Sequence, residues 1–156
     1  MRTLLVAAVL AVPTLAPGAD TVPIAAEVER GVAAYNARQI AYYEDTLAPD
    51  TVYIAEDGAT FVGKQAVLRL FTRIFAKDPA PRLAVSDVVT GGKGDVAWAR
   101  FKWTLTTGPD SRQGVSSIIF IRAGDAWQVV QIHNTPSGHA MAAPSPGASP
   151  VASPKH

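Results

Sequence analysis

The residue best suited to chemistry is His133. It stands near the end of a period-2 run, Trp127-Gln-Val-Val-Gln-Ile-His133-Asn134. An unperturbed imidazole titrates near pH 6.5, so it can take or give a proton at neutral pH. Strict alternation puts Trp127, Val129, Gln131 and His133 on one face of the strand and Gln128, Val130, Ile132 and Asn134 on the other. Because Trp127 opens the first set, that set is expected to point inward, with an apolar base and a polar mouth at Gln131 and His133. A second strand sets Trp98, Arg100, Lys102 and Thr104 against Ala97, Ala99, Phe101, Trp103 and Leu105. Arg100 at a pocket mouth could hold a carboxylate bidentately. The same face could equally be an outer surface, with Trp98 in a subunit contact. Tyr53 and Ser117 are polar residues on apolar strands and could donate hydrogen bonds into a cavity. His133 could also be satisfied by backbone or a neighbouring side chain, or lie at a dimer interface.

Several chemistries lack their residues. No cluster of His with carboxylates has metal-ligand spacing, so no metal or other cofactor is expected. There is no phosphate-binding glycine loop, no serine elbow and no cysteine at all. Fourteen basic side chains oppose thirteen acidic ones, a balance that offers nucleic acid no attractive field despite Trp98, Phe101 and Trp103 beside Arg100.

The elements that would position these residues follow from periodicity. Val28, Val32 and Tyr35 fall on one helical face, with Asp20 or Thr21 as cap and Pro23 in the opening turn. Gly31, in mid-helix, implies close packing or a cavity beside it. Ile40, Tyr43 and Leu47 mark a short second helix stopped by Pro49. Short strands at Val52–Ala55 and Thr60–Val62 flank the turn Glu56-Asp-Gly58. Val67, Leu68, Phe71, Ile74 and Phe75 form the stripe of a third helix from Lys64 to Ala76, with Lys64, Arg69, Arg73 and Lys77 on its solvated side. Four strands follow, near Arg82–Thr90, Val96–Thr106, Gly114–Arg122 and Ala126–Asn134. Their short, glycine-rich connections argue for an antiparallel meander. Helices followed by strands indicate an α+β fold.

The ends read differently. Arg2, the apolar run Leu4 to Val12 and the small residues Ala16-Pro-Gly18 have the pattern of a secretory signal over residues 1–18. The run is too short to span a membrane as a helix. Residues 136–156 are rich in Pro, Ala, Ser and Gly, a composition expected to be disordered, and hold His139 and His156. Residues 19–135 are the expected folded domain, secreted or periplasmic and free of the membrane once the signal is removed. Without cysteine its stability rests on the core, with a partner subunit as one further source.

Tyr35-Asn-Ala-Arg-Gln39, Ala48-Pro-Asp50, Gly63-Lys-Gln-Ala66, Gly94-Asp-Val-Ala-Trp98 and the terminal Trp127–His133 run together resemble the nuclear transport factor 2-like superfamily. That superfamily includes ketosteroid isomerase, the polyketide cyclase-like SnoaL group and the association domain of calmodulin-dependent kinase. The resemblance implies a cone-like curved antiparallel sheet of about six strands wrapped by three helices, usually dimeric. A catalytic aspartate of the isomerase kind would fall where Ile54 and Ala55 stand, and its tyrosine near Gly31, so that mechanism is not expected; Glu56 and Asp57 beside the base position look like turn residues. The resulting expectation is a homodimeric module binding a small, largely apolar molecule through Tyr53, Trp98, Arg100, Trp103, Ser117, Gln131 and His133. The alternatives are an isomerase, hydratase or cyclase using His133 as acid–base, and a purely structural dimer.

Overall fold

A computed structural model describes residues 24–137. The expected signal, the Asp20 or Thr21 cap with Pro23, and the tail from residue 138 lie outside them. Three helices, α1 (Ile24–Asn36), α2 (Ile40–Thr46) and α3 (Lys64–Phe75), accompany six strands: β1 (Leu47–Ile54), β2 (Thr60–Val62), β3 (Arg82–Lys93), β4 (Val96–Thr107), β5 (Asp110–Ala123) and β6 (Ala126–Pro136). The order across the sheet is β2-β1-β6-β5-β4-β3. Strands β3 to β6 form the antiparallel meander read from the sequence. The sheet is mixed, however, because β1 runs parallel to β6. Strand β2, helix α3 and the first three meander strands lie between β1 and β6 in the chain, which gives the length of connection that a parallel pair needs.

The helices cover the concave face. On α3, Val67, Leu68, Phe71 and Phe75 are buried, as the stripe demands. Gly63, which opens α3, has φ +85, a left-handed conformation in which glycine is the unstrained residue. The end of α1 is stitched to β3 by Asn36: its amide donates to the Leu83 carbonyl and accepts from the Leu83 N–H, both at 2.8 Å. Helix α2 ends one residue earlier than its apolar spacing suggested. Leu47 is already extended and begins β1, five residues before the expected strand start. Pro49 fits there because β1 pairs with β6 at Leu47 and again only from Val52. Between those points no ladder N–H is required of it. The buried Thr51 hydroxyl fills this irregular stretch, 2.5 Å from the Val129 carbonyl and 2.8 Å from that of Ala48.

Two more irregularities bend the sheet. On β3 the register slips between Ser86 and Val89, where Asp87 takes φ +52 and pairs with Lys102 at 2.8 Å. On β6, Gln131 faces Ile119 while Val129 faces Phe120, so Val130 is an extra residue with no partner on β5. Such bulges add local twist and curvature, which a cone needs.

Candidate functional site

Curvature leaves a cavity of about 380 Å³ between the helices and the concave face. Its walls are largely apolar. Phe71 is the hub, with Tyr43, Tyr53 and Tyr35 ring centroids at 4.5, 5.6 and 6.5 Å. Phe101, Trp103, Ile118 and Ile132 come from the sheet side. Gly31 on α1 borders the cavity, and the Tyr42 ring passes close beside it. Trp103 lies flat over Gly114, its cross-strand partner, because any Cβ at that position would collide with the indole. A glycine beneath an aromatic on the neighbouring strand is a known device for seating a large ring on a sheet.

The polar groups of the cavity are few and ordered. Ser116 Oγ donates to Asn134 Oδ1 at 2.6 Å, and Asn134 Nδ2 donates to the Ile54 carbonyl at 2.9 Å. A backbone carbonyl only accepts, so the amide orientation is settled: oxygen toward β5, nitrogen toward β1. This relay spans three strands. Tyr43 and Tyr42 give their hydroxyl protons to the Gly31 and Glu27 carbonyls of α1, at 2.9 and 3.3 Å. At the rim, Arg112 pairs with Glu56 and Arg30 pairs with Glu27. Asp57 accepts from the Ala59 N–H within its own turn. Burial pushes the phenols of Tyr35, Tyr42, Tyr43 and Tyr53 above the usual tyrosine value, so all four stay protonated through the neutral range.

Of the residues expected to bind a ligand, Tyr53 and Trp103 line this cavity. Trp98, Arg100, Ser117, Gln131 and His133 do not; they lie on the outer, convex face. The structure still brings them together there. Arg100 pairs with Ser117 and Ser117 with His133 in one row, while Trp98, Ile119 and Gln131 form the next. His133 and Arg100 are exposed, and Trp98 retains 43% of its surface. Two physical reasons account for this. On β4 the all-apolar set, Ala97, Ala99, Phe101 and Trp103, faces inward, as its burial requires. On β6 the bulge at Val130 resets the alternation, so Trp127 and Val129 point inward but are followed by Ile132 and Asn134 rather than Gln131 and His133. The hydrogen-bonding role foreseen for Ser117 falls to its neighbour Ser116, which shares the inward parity of Ile118 and Phe120.

Sequence reasoning did not select Tyr35, Arg112, Ser116 or Asn134. Parity on β5 was the available signal for Ser116, since Phe120 is the largest apolar residue of that strand. Tyr35 was assigned to the buried face of α1 but not to a cavity. Among the described residues no group of three or more His, Asp or Glu is disposed to hold a metal ion, and no helix is long and apolar enough to cross a membrane.

A curved sheet lidded by three helices, with an apolar cavity at its concave face, defines a cone of the nuclear transport factor 2-like class. Solved structures agree. A protein with a cystatin-like fold from Caulobacter vibrioides matches with TM-score 0.68 and 13% identity over 78% of this chain and 92% of its own. A nuclear transport factor 2-like protein of unknown function from Pseudomonas putida KT2440 matches with TM-score 0.66 and 22% identity, over 72% and 82%. A third, provisionally named a calcium/calmodulin-dependent protein kinase type II association domain, from Thiobacillus denitrificans, matches with TM-score 0.65 and 25% identity, over 74% and 95%. No curated protein matches the chain. The SnoaL-like domain model matches residues 24–136, and the chain belongs to that family.

Proposed function

We propose that this protein is an exported, homodimeric binding module that holds a small, largely apolar molecule in its cone cavity. The observation that carries this reading is the 380 Å³ aromatic-lined space with one ordered polar relay on its wall. Sites of this size and composition, apolar with a few fixed polar groups, are what small-molecule recognition uses. Export is supported by the signal-like residues 1–18. Self-association is supported by the outer face, where Val96 and Trp98 are 51% and 43% exposed. A second copy would cover them. Catalysis through His133 draws no support from the cavity, because the imidazole stands on the opposite side of the sheet.

Titration with a neutral apolar dye, N-phenylnaphthylamine, tests the reading. One dye per chain is expected, with native mass spectrometry of the same sample giving two chains per particle. Ile132→Trp fills the lumen from β6 and is expected to abolish dye binding while circular dichroism stays unchanged. Undiminished dye binding by that folded variant would refute the cavity as the binding site. A monomer mass would refute the dimer separately.

A further inference from the structure

The convex face of the sheet carries a charge pattern that the cavity does not use. The chain as a whole is close to balance, with 14 basic and 13 acidic side chains. The pairs Arg82–Thr106, Lys93–Val96, Val89–Arg100 and Ser86–Lys102 put exposed cations together on the outer side of β3 and β4. The carboxylate that reaches this side is Asp87, and Lys102 holds it at 2.8 Å. Lys102 first, and Arg100 more weakly, keeps the Asp87 carboxyl below its usual range, so the field of both cations is felt there. With Asp87 engaged by Lys102, Arg100 is left without an ion pair among the described residues.

One row of the ladder runs Thr60, Ile54, His133, Ser117, Arg100, Val89 across all six strands. It holds no carboxylate. Arg100, Ser117 and His133 are consecutive in it, and all three are exposed. Neighbouring strands lie about 4.8 Å apart, so Arg100 and His133 flank the short Ser117 at a separation of about 10 Å. Among the described residues none of the three side chains bonds to protein. Ser116 and Asn134, the next residues along, bond to each other on the inner face instead.

All three groups are donors. The guanidinium offers a planar fork, the imidazole donates an N–H in either protonation state, and the hydroxyl can turn its proton outward. Donors that reach one point above Ser117 from three strands suit an anion with oxygens in three directions. A planar carboxylate has two oxygens to offer; a tetrahedral oxyanion has one for each donor.

We propose that Arg100, Ser117 and His133 form a surface site for a tetrahedral oxyanion, inorganic phosphate or a phosphate monoester, on the side of the sheet opposite the cavity. The site shares no residue with the cavity or with the Val96 and Trp98 patch. Because it is open to solvent, its affinity is modest, with a Kd of about 1 mM.

The test is titration of the full chain with inorganic phosphate and with phenyl phosphate, followed by the imidazole resonances in proton NMR. Sodium chloride holds the ionic strength constant. His133→Gln identifies the His133 signal among those of His139 and His156. Both phosphates are expected to shift that signal saturably, and acetate to bind about fivefold more weakly or less. Arg100→Gln is expected to weaken phosphate about tenfold, and Ser117→Ala about threefold, with circular dichroism unchanged. Arg82→Gln removes an equal charge from the same face about 20 Å along β4, beyond the screening length, and should stay within about twofold.

Equal losses from Arg82→Gln and Arg100→Gln would reduce the effect to diffuse attraction and overturn the site. So would a His133 signal that stays still in phosphate, including in a dimer whose second copy covers the row. Acetate that binds as tightly as phosphate overturns the tetrahedral assignment. A response to phosphatidic acid vesicles without one to soluble phosphate puts the oxyanion in a lipid headgroup and overturns the soluble ligand. None of these outcomes depends on what the cavity binds.

Discussion

Asn134→Ala removes the centre of the three-strand relay, and its consequence can be worked from the contacts. The amide makes two hydrogen bonds, from Ser116 Oγ at 2.6 Å and to the Ile54 carbonyl at 2.9 Å. Each is worth about 1 kcal/mol net. Their loss also strands a hydroxyl on Ser116, which is only 3% exposed, and unpaired buried groups carry a further penalty of about 1–3 kcal/mol. The adjoining cavity can admit water to the Ile54 carbonyl, which keeps the penalty at the low end. The sum is roughly 3 kcal/mol, a large part of the stability of a domain this size. Urea unfolding followed by tryptophan fluorescence should show the midpoint falling at constant m-value. The cycle with Ser116→Ala is the sharper reading. Once Ser116 has lost its hydroxyl, Asn134→Ala strands one group fewer, so the double substitution should fall short of additivity by about 1 kcal/mol. Strict additivity, or a single loss below about 0.5 kcal/mol, would show that the relay does not exist as a coupled unit.

Two further predictions concern the walls of the cavity. Gly114→Ala would put a Cβ at 2.2 Å from both the Thr135 carbonyl oxygen and Trp103 Cζ2. The backbone oxygen cannot yield, so a loss of about 3 kcal/mol is expected in the same unfolding assay; a loss under about 1 kcal/mol would mean that Trp103 does not lie over β5. The pH dependence follows from the four raised phenols. The folded chain holds these protons more tightly than the unfolded one, so their contribution is full below about pH 10 and drains away as pH rises beyond it. Tyrosinate absorbance should therefore appear together with loss of the near-ultraviolet circular dichroism signal. Ionisation of all four tyrosines near pH 10 with the fold intact would contradict their burial.

How much of this could be read from the chain depends on which physical rule decided each element. Helix α3 and the meander were legible because their apolar spacing has one solution: Val67, Leu68, Phe71 and Phe75 share a face only in a helix, and the short glycine turns permit only antiparallel neighbours. The parallel seam of β1 with β6 was not, since nothing local to Val52–Ile54 reports its partner's direction. The site turned on a single residue. Up to Val129, alternation from Trp127 describes β6 correctly. The unpaired Val130 then shifts parity by one, sending His133 out to solvent and Asn134 into the cavity. Val130 itself is an ordinary strand residue. A bulge of this kind is dictated by the β5 neighbour and by the curvature the sheet must adopt, not by the identity of the residue that bulges. Period-2 reasoning had the strand and its buried end right and its polar end inverted for that reason. The inversion also explains why the outer face carries chemistry-capable residues in a row. Arg100, Ser117 and His133 are adjacent because cross-strand pairs on one face stay adjacent whichever face it is, while Tyr53 and Trp103, expected in the same group, line the cavity on the other side of the sheet.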